Sequence, residues 1–496
     1  MSNHSLFIIT LLFNSIWPTI IAFGQEKVFE TDLSQERILD SRRIYPVVDE
    51  DESTTLYIYE SQKVTCKMLD KDYQETDRYT FPTPPRMPVR LFGQNIEGNQ
   101  HHLFFANRRA TRFFVHVINV TEKRNYVKPL SIKAKGERHL ESISYKDRFY
   151  LVRMKQFTSI MVIYEFKGSE LISRKELDLS EPKPFGAYRD DLYSRFIMPS
   201  AQTPLEQELS ADMFEIRDPY TPEHAAEPAK LYVKANKIYM TVEKSHQLTK
   251  VIKVDLGTYE YSVDAFTHEP LVCGTQVGIK TNSFLWDDVL FQVKVCRSKL
   301  RFSVTRLSDK KVPRSYTAQN SQSIFFKSGA IRQETGALHY RIETSKALNT
   351  RQFLRQLNNS QLGILVFAQN DRLIVRISGY KVLESEYITV DQNEDDYGYL
   401  KTPLGIIRSG LLLANDGEES FRNFRSIHFD TKLEPNTFRY IKGNVRSDIF
   451  QRIRSFEKSL NTTDENRIVF KNGDAYLYGY YSRVDRKFIL EKFDAD

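Results

Sequence analysis

The sequence predicts an all-β protein, a β-propeller of about seven four-stranded blades, and six or eight blades also fit the pattern. Apolar, strand-like runs recur along the chain, and three of them start at Leu56, His102 and Arg148, which are 46 residues apart. A step of this length is typical of a four-stranded blade. The chain also holds 27 Tyr and 33 Phe against 2 Trp, and aromatic side chains favour pleated, half-buried surfaces.

The segment 142–179 shows the order of strands within one unit. Short polar breaks divide it into runs at 142–145, 149–154, 159–166 and 171–179. The first three runs are mainly apolar, whereas the last one is rich in charged residues. This gradient suits a radial array, because a charged outer edge does not recruit another strand.

The units are counted from their strongest strands. These start near Leu56, His102, Arg148, Lys237, Phe291, Leu373 and Ala475. The last unit has three strands, and Asn472-Gly473 marks a hairpin turn in it, since both residue types tolerate a positive φ. We expect the N-terminal segment Arg43–Val48 to supply the fourth strand and close the ring. A chain of tandem β-sandwiches also gives short strands at regular spacing and is the alternative fold.

Departures from the regular step mark insertions in a propeller that spans 45–496. They lie near 180–228, 316–360 and 440–466, and the first of them is rich in proline. Helices are predicted at 349–357 and 448–460, where apolar residues recur on one face. We expect both helices to pack against the propeller, and docking to a partner is the alternative.

The first 24 residues have the features of a signal peptide. The stretch 6–23 is uncharged and largely apolar, and Ala22 and Gly24 are small where signal peptidase requires it. We expect cleavage after Gly24, an N-terminal extension at 25–44, no transmembrane span in the mature chain, and a secreted, periplasmic or envelope-associated location. An uncleaved anchor is the alternative, since about 18 apolar residues reach the lower limit for a span.

The chain has three cysteines, an odd number for an oxidising compartment. Cys273 and Cys296 are candidates for a disulfide between neighbouring strands. Three buried thiols, with Cys66 as the third, are the alternative interpretation. The sequence contains no Cys-x-x-Cys pair, so no thiolate zinc site is predicted, and no cofactor is predicted either.

The first insertion contains the candidate ligand-binding residues Tyr188, Arg189, Asp190 and Asp191. Paired carboxylates beside a Tyr and an Arg suit glycoside chemistry, in which one carboxyl is the acid and the other the base or nucleophile. Adjacent Asp residues rarely point into one site, however. No residue is therefore assigned a catalytic role.

A second acidic segment offers oxygen ligands at alternate positions, Asp391, Asn393 and Asp395, as a calcium loop does. The sixth position of that loop is Asp396 instead of Gly, and the twelfth is Thr402 instead of Glu. A solvated acidic loop is the preferred interpretation, and no metal site is predicted.

The sequence lacks the motifs of several enzyme classes, including Gly-x-Ser-x-Gly, His-Glu-x-x-His and phosphate-binding glycine loops. The formal charge is +7, but an export signal disfavours nucleic acid as a partner. The signal end Ala22-Phe23-Gly24-Gln25 and the strands rich in Tyr, Phe and Lys resemble exported proteins of the Bacteroidota, and the repeats resemble a divergent propeller.

The predicted function is non-enzymatic binding or scaffolding of a protein or polysaccharide partner through loops on the propeller faces. One alternative is a propeller enzyme, such as a glycoside hydrolase or lyase, that acts on an extracellular polymer. That alternative requires carboxylates to converge in the central channel. A surface adhesin is a further alternative.

Overall fold

Seven sheets, arranged as the blades of a propeller, make up the part of the chain that the computed structural model describes. The described residues are 25–33, 43–84, 90–107, 112–132, 134–180, 191–197, 213–215, 225–274, 278–336, 343–382, 406–408, 411–413, 424–460, 467–482 and 484–494. The predicted all-β propeller of seven blades is confirmed. The tandem-sandwich alternative does not apply.

Blades 1 to 3 each consist of four consecutive antiparallel strands. Blade 1 comprises β2 (Arg43–Val48), β3 (Thr54–Tyr59), β4 (Lys63–Leu69) and β5 (Glu75–Pro82). Blade 2 comprises β6 (Arg90–Glu97), β7 (Gln100–Ala106), β8 (Phe113–Asn119) and β9 (Arg124–Leu130). Blade 3 comprises β10 (Glu137–Tyr145), β11 (Arg148–Lys155), β12 (Ile160–Lys167) and β13 (Glu170–Asp178). In each blade the last strand is the most exposed, as the charge pattern predicts.

Blades 4 and 5 follow the same order. Blade 4 comprises β15 (Ala229–Lys234), β16 (Lys237–Ser245), β17 (Leu248–Asp255) and β18 (Tyr261–Thr267). Blade 5 comprises β19 (Lys280–Trp286), β20 (Val289–Val295), β21 (Lys299–Arg306) and β22 (Arg314–Gln319). The insertion before blade 4 contributes helix α1 (Leu192–Phe196) and the short strand β14 (Met213–Glu215), which pairs in parallel with β15.

Blade 6 takes its strands out of chain order. From the ring axis outwards it comprises β25 (Gln361–Gln369), β26 (Arg372–Val382), β29 (Phe424–Leu433), β23 (Ile331–Gly336) and β24 (Glu343–Leu348). The segment 316–360, predicted as one insertion, therefore contains the two outermost strands of this blade. It also contains helix α2 (Thr350–Asn358).

Blade 7 is completed by the N-terminus of the described chain. It comprises β30 (Ile468–Asn472), β31 (Ala475–Ser482), β32 (Lys487–Asp494) and, as the outer strand, β1 (Gln25–Asp32). The strands β27 (Ile406–Arg408) and β28 (Leu411–Leu413) extend its inner edge.

The closing strand differs from the expected one. We expected Arg43–Val48 to close the ring, but that segment is the inner strand of blade 1. Its central residues are buried, which suits the packed interior, whereas β1 is largely exposed and suits an outer edge. The segment 25–44, predicted as an extension, thus contains a propeller strand.

Apolar clusters join neighbouring blades around most of the ring. Between blades 2 and 3, the Phe104 and Phe149 rings stack with their centroids 4.1 Å apart. Gly93 of β6 lies against Phe149, and a Cβ at this position would approach the ring to 2.0 Å. The inner strand therefore requires glycine here so that the blades approach closely.

Both predicted helices are confirmed, and each begins with a capping box. Helix α2 is capped by Asn349, and helix α3 (Ile449–Ser459) is preceded by Asp448, whose carboxylate accepts from the Gln451 backbone N–H at 2.8 Å. The apolar face of α2 packs into the core of blades 5 and 6, and that of α3 packs against blade 7. No helix in the described part of the chain is long and apolar enough to cross a membrane.

Candidate functional site

The connections of the propeller divide into two faces. Successive strands of a blade run in opposite directions, so the turns between second and third strands lie on the same face as the links to the next blade. We call this face the insertion face. It contains the turns at 60–62, 156–159 and 484–486, and it also contains the strand ends from which the connections 179–228 and 383–423 leave and to which they return. The turns at 49–53, 120–123 and 473–474 lie on the opposite face.

Helix α1 attaches the first insertion to blade 3 on the insertion face. The backbone N–H of Leu192 donates to Ser159 Oγ at 3.0 Å. Asp191 is the N-cap of α1, and its carboxylate accepts from the backbone N–H of Ser194 at 2.8 Å and from the Ser194 hydroxyl at 3.1 Å. This carboxylate is 4% exposed, so it stabilises the start of the helix and does not face a ligand.

The other sequence candidates lie outside the described residues. They are Tyr188, Arg189 and Asp190 in the first insertion and Asp391, Asn393 and Asp395 in the acidic segment. Within the ranges that are described, no three His, Cys, Asp or Glu side chains are grouped so that they could hold a metal ion.

The centre of the ring contains strands from the connections 179–228 and 383–423, which we call the two long insertions; the second of them was not among the predicted insertions. On one side, β14 extends the inner edge of blade 4, and on the other side β28 and β27 extend the inner edge of blade 7. Strand β14 lies beside β27, and β27 also lies near β10 of blade 3. Strands therefore cross the ring from blade 7 to blades 3 and 4. This crossing was not predicted from the sequence, although the largely apolar run 404–413 was a signal for it.

A buried lysine fixes the end of the first insertion to the inner strands. Lys230 is 1% exposed, and its ammonium donates to the carbonyls of Glu227 at 2.7 Å and Ser283 at 2.9 Å and to the Asn282 side chain. Asn282 in turn donates to the carbonyl of Leu362 at 2.7 Å, so blades 4, 5 and 6 are linked here. Burial lowers the pKa of Lys230 to about 7.

A second buried network lies between blades 4 and 5. His268 Nε2 lies 2.9 Å from a Glu243 carboxylate oxygen, and the Thr249 hydroxyl donates to the other oxygen at 2.9 Å. Gln292 donates to Thr249 at 3.2 Å. Burial raises the pKa of Glu243, but the hydrogen bond and electrostatic attraction of His268, together with Ser283 and Lys230, outweigh burial and hold the pKa below its usual value. The carboxylate stays ionised and joins the two blades.

A third network lies between blade 6 and helix α3. The Arg376 guanidinium, 3% exposed, donates to Asp430 at 2.8 and 3.1 Å and to Asp448 at 2.8 Å. A cavity of about 20 Å³ beside it is lined partly by Arg332 and His428. This volume is far below that of a small-molecule site.

A larger hollow of about 300 Å³ lies on the outer rim between β1 and β5. Its lining residues are Glu30, Thr31, Asp32, Arg78 and Lys487. Glu30 accepts from Lys487 at 2.6 Å, and hydrogen bonds from Lys27 and Lys487 lower its pKa to about 2. The hollow is polar and open, and its charges of both signs lie on β1, β5 and the start of β32.

The cysteines are divided between two states. Cys273 and Cys296 form a disulfide that links the connection after blade 4 to the turn between β20 and β21. Cys66 is a buried free thiol, and burial raises its pKa. His116 is a strand histidine with both ring nitrogens satisfied, since they lie 2.6 Å from the Tyr59 hydroxyl and 3.1 Å from the Asn125 side-chain oxygen.

No family model matches the chain, and no characterised protein matches its sequence. Among solved structures, the cobalt-substituted apocarotenoid oxygenase of Synechocystis is 9% identical over 57% of this chain and 62% of its own, with a TM-score of 0.27. Prolyl oligopeptidase B from Galerina marginata is 9% identical over 60% of this chain and 34% of its own, with a TM-score of 0.26. The chain spans less than two thirds of either protein. The propeller assignment rests on the sheets themselves, and these likenesses carry no argument about function.

Proposed function

We propose that the chain is an exported, non-enzymatic binding or scaffold protein that engages a protein or polymer partner through its insertion face. The crossing of the ring by β14, β27 and β28 supports this proposal most strongly. Both of the long insertions are attached to rigid blades and meet at the ring centre. Long connections on a rigid platform are a common arrangement for recognition.

The exposed apolar residues of the insertion face support the same proposal. Phe157 and Val484 lie in hairpin turns and are 59% and 83% exposed, and Val272 lies in a link between blades and is 77% exposed. Phe157 packs on Tyr193 of α1, with the ring centroids 5.2 Å apart. Single exposed apolar residues are ordinary, but these three share one face with the long insertions.

Buried carboxylates favour binding over cleavage of a polymer. Glu137 accepts from Arg174 at 2.9 Å and from the Tyr164 hydroxyl at 2.9 Å. Glu243 is held in the network between blades 4 and 5, and Asp430 in the network between blade 6 and helix α3. These acids neutralise cations within and between blades, whereas a glycosidase requires two carboxyls facing a substrate.

Export is supported by the covalent state of the cysteines. Disulfides persist in oxidising compartments and are rare in the cytosol of most organisms. The bond between Cys273 and Cys296 therefore suits a periplasmic or secreted protein. Cell fractionation with a thiol-blocking reagent tests this, because a reduced pair in a cytosolic fraction would contradict export.

Photo-crosslinking in the source cells tests the binding proposal. A photoreactive amino acid replaces Phe157 or Val484 on the insertion face, or Glu122 on the opposite face as the control. We expect the same crosslinked species from Phe157 and Val484 and none from Glu122. Equal labelling from both faces, or no species above the unirradiated sample at any position, would contradict the proposal.

A further inference from the structure

The inner strands of blades 4 and 7 carry additional strands on the edges that face the ring axis. Strand β14 pairs with β15, and β28 pairs with β30. An inner edge presents backbone N–H and C=O groups to the ring centre, and these groups accept any chain segment in an extended conformation. The ring therefore contains two edges that already bind extended strands.

These additional strands make short ladders. The β14–β15 ladder has three residue pairs, whereas β15 and β16 form six. The β28–β30 ladder has one pair, between Leu411 and Phe470, whereas β30 and β31 form five. A longer segment at the same edge would make more backbone hydrogen bonds than the present occupant does.

The occupants also share a composition. The segment that contains β27 and β28 reads Leu-Gly-Ile-Ile-Arg-Ser-Gly-Leu-Leu-Leu over 404–413, and β14 consists of Met213, Phe214 and Glu215. The Ile residues of β27 and Phe214 of β14 are of the β-branched and aromatic types that strands favour. The ring centre thus holds extended pieces of the chain that are mainly apolar, and each one comes from a long insertion.

We propose that the inner edges of β15 and β30 are strand-addition sites for an extended, apolar segment of a partner protein. In the unbound protein the chain's own β14 and β27–β28 occupy these sites. Backbone hydrogen bonds supply the affinity, and alternate side chains supply the selectivity, as in other complexes formed by strand addition. This inference rests on the proposed binding function and names the class of partner.

Peptide binding tests the blade 7 edge. In one variant, residues 404–415 are replaced by a Gly/Ser segment of equal length, and the probe is a fluorescent synthetic peptide of sequence 403–415. We expect the variant to bind this peptide at least tenfold more tightly than the intact chain does. The same peptide with Leu412→Pro should bind at least tenfold more weakly, since proline has no backbone donor.

A photoreactive group at position 412 of the peptide locates the site. We expect the crosslink to fall within residues 467–472, which form β30. Crosslinks confined to the outer strand β1, or spread over the whole surface, would contradict strand addition at the inner edge.

The blade 4 edge provides an independent test if the first variant does not fold. Residues 211–217 are replaced in the same way, and the probe is the peptide 210–218 with its Phe214→Pro counterpart as the control. The inference would be overturned if both variants melt cooperatively, which shows that they fold, and yet bind the parent peptides no more tightly than the proline-containing peptides. If the photoreactive groups at Phe157 and Val484 capture a partner but neither peptide binds, only the strand-addition inference is overturned. If the peptides bind but these two positions capture no partner, only the insertion-face proposal is overturned.

Discussion

The junction between blades 2 and 3 and the junction between blade 6 and helix α3 are both buried, but they are built from different chemistry. At the first junction Phe104 and Phe149, in the second strands of two consecutive blades, stack on each other. At the second, Arg376 is held by Asp430 and Asp448 next to a blade that takes strands out of order. Apolar packing depends on volume, whereas a buried ion pair depends on the position of each partner.

This difference follows from which side chains fill the space between neighbouring blades. Consecutive blades meet through the alternating apolar residues of their own strands, so their packing follows from the strand pattern. Between blades 6 and 7 the helix α3 intervenes, and Asp448 at its start is joined to Arg376 at 2.8 Å. The charge network thus positions an element that no strand pairing holds.

The largest expected effect comes from breaking the ion network. Arg376→Met leaves two carboxylates buried without their cation, and we expect a loss of about 3 to 5 kcal/mol in the free energy of unfolding. Chemical denaturation with urea measures it. The triple variant Arg376→Met, Asp430→Asn, Asp448→Asn should recover more than half of the loss, because no charge remains unpaired. A triple variant as unstable as the single one would show that charge is not the cause.

Breaking the apolar junction should lower the free energy of unfolding by a similar or slightly smaller amount. Phe104→Ala removes a fully buried ring, and we expect a loss of about 3 to 4 kcal/mol through lost burial and the cavity that remains. Phe104→Leu should recover most of it, whereas no conservative change should rescue Arg376. The control is Tyr126→Ala in the same blade, 54% exposed, which should change stability by less than about 0.5 kcal/mol.

Acid should weaken blades 1 and 2 before it weakens the ion network. Burial lowers the pKa of His101, His102 and His116 to about 4, from a usual value of 6.5. The unfolded chain therefore binds protons first as the pH falls, so the stability that these residues contribute is lost between about pH 6.5 and pH 4. We expect the slope of stability against pH in this window to fall by up to about 1.4 kcal/mol per pH unit in His116→Gln.

The ion network should respond to acid in a lower window. Burial raises the pKa of Asp430, but the Arg376 guanidinium outweighs it and holds the pKa below its usual 3.8. Its contribution is present above that value and is lost as the pH falls through the lowered pKa. Asp430→Asn should therefore change the slope between pH 6.5 and pH 4 only through its neighbour His428, whose lowered pKa Asp430 partly restores, and so by less than His116→Gln does. An effect in this window as large as that of His116→Gln would contradict its assignment to the histidines of blade 2.

The smallest expected effect is at the start of helix α2. Asn349→Ala removes the cap, whose side chain accepts from the Gln352 backbone N–H at 2.9 Å, and should cost about 1 kcal/mol. Urea denaturation measures it against Arg351→Ala, an exposed position of the same helix. A loss above about 2 kcal/mol in the free energy of unfolding would mean that Asn349 stabilises more of the structure than the end of the helix.

Local patterns made much of the fold predictable. The strand starts near Leu56, His102 and Arg148 each lie in the second strand of a blade, because alternation and turn residues are encoded within a few positions. The helices were predictable for the same reason. The roles of Lys230 and Arg376 were not, since each depends on partners far away in sequence that only packing brings together.

The sequence by itself determined the strand pattern, a number of blades close to seven and the charged outer edges, since side-chain periodicity and turn chemistry act locally. Only the tertiary structure decided that β1 closes blade 7, that β23 completes blade 6, and that β14 and β27–β28 meet at the ring centre. The physical reason is that backbone hydrogen bonds join any two extended segments. Which segments pair is settled by where the packed blades leave an open edge.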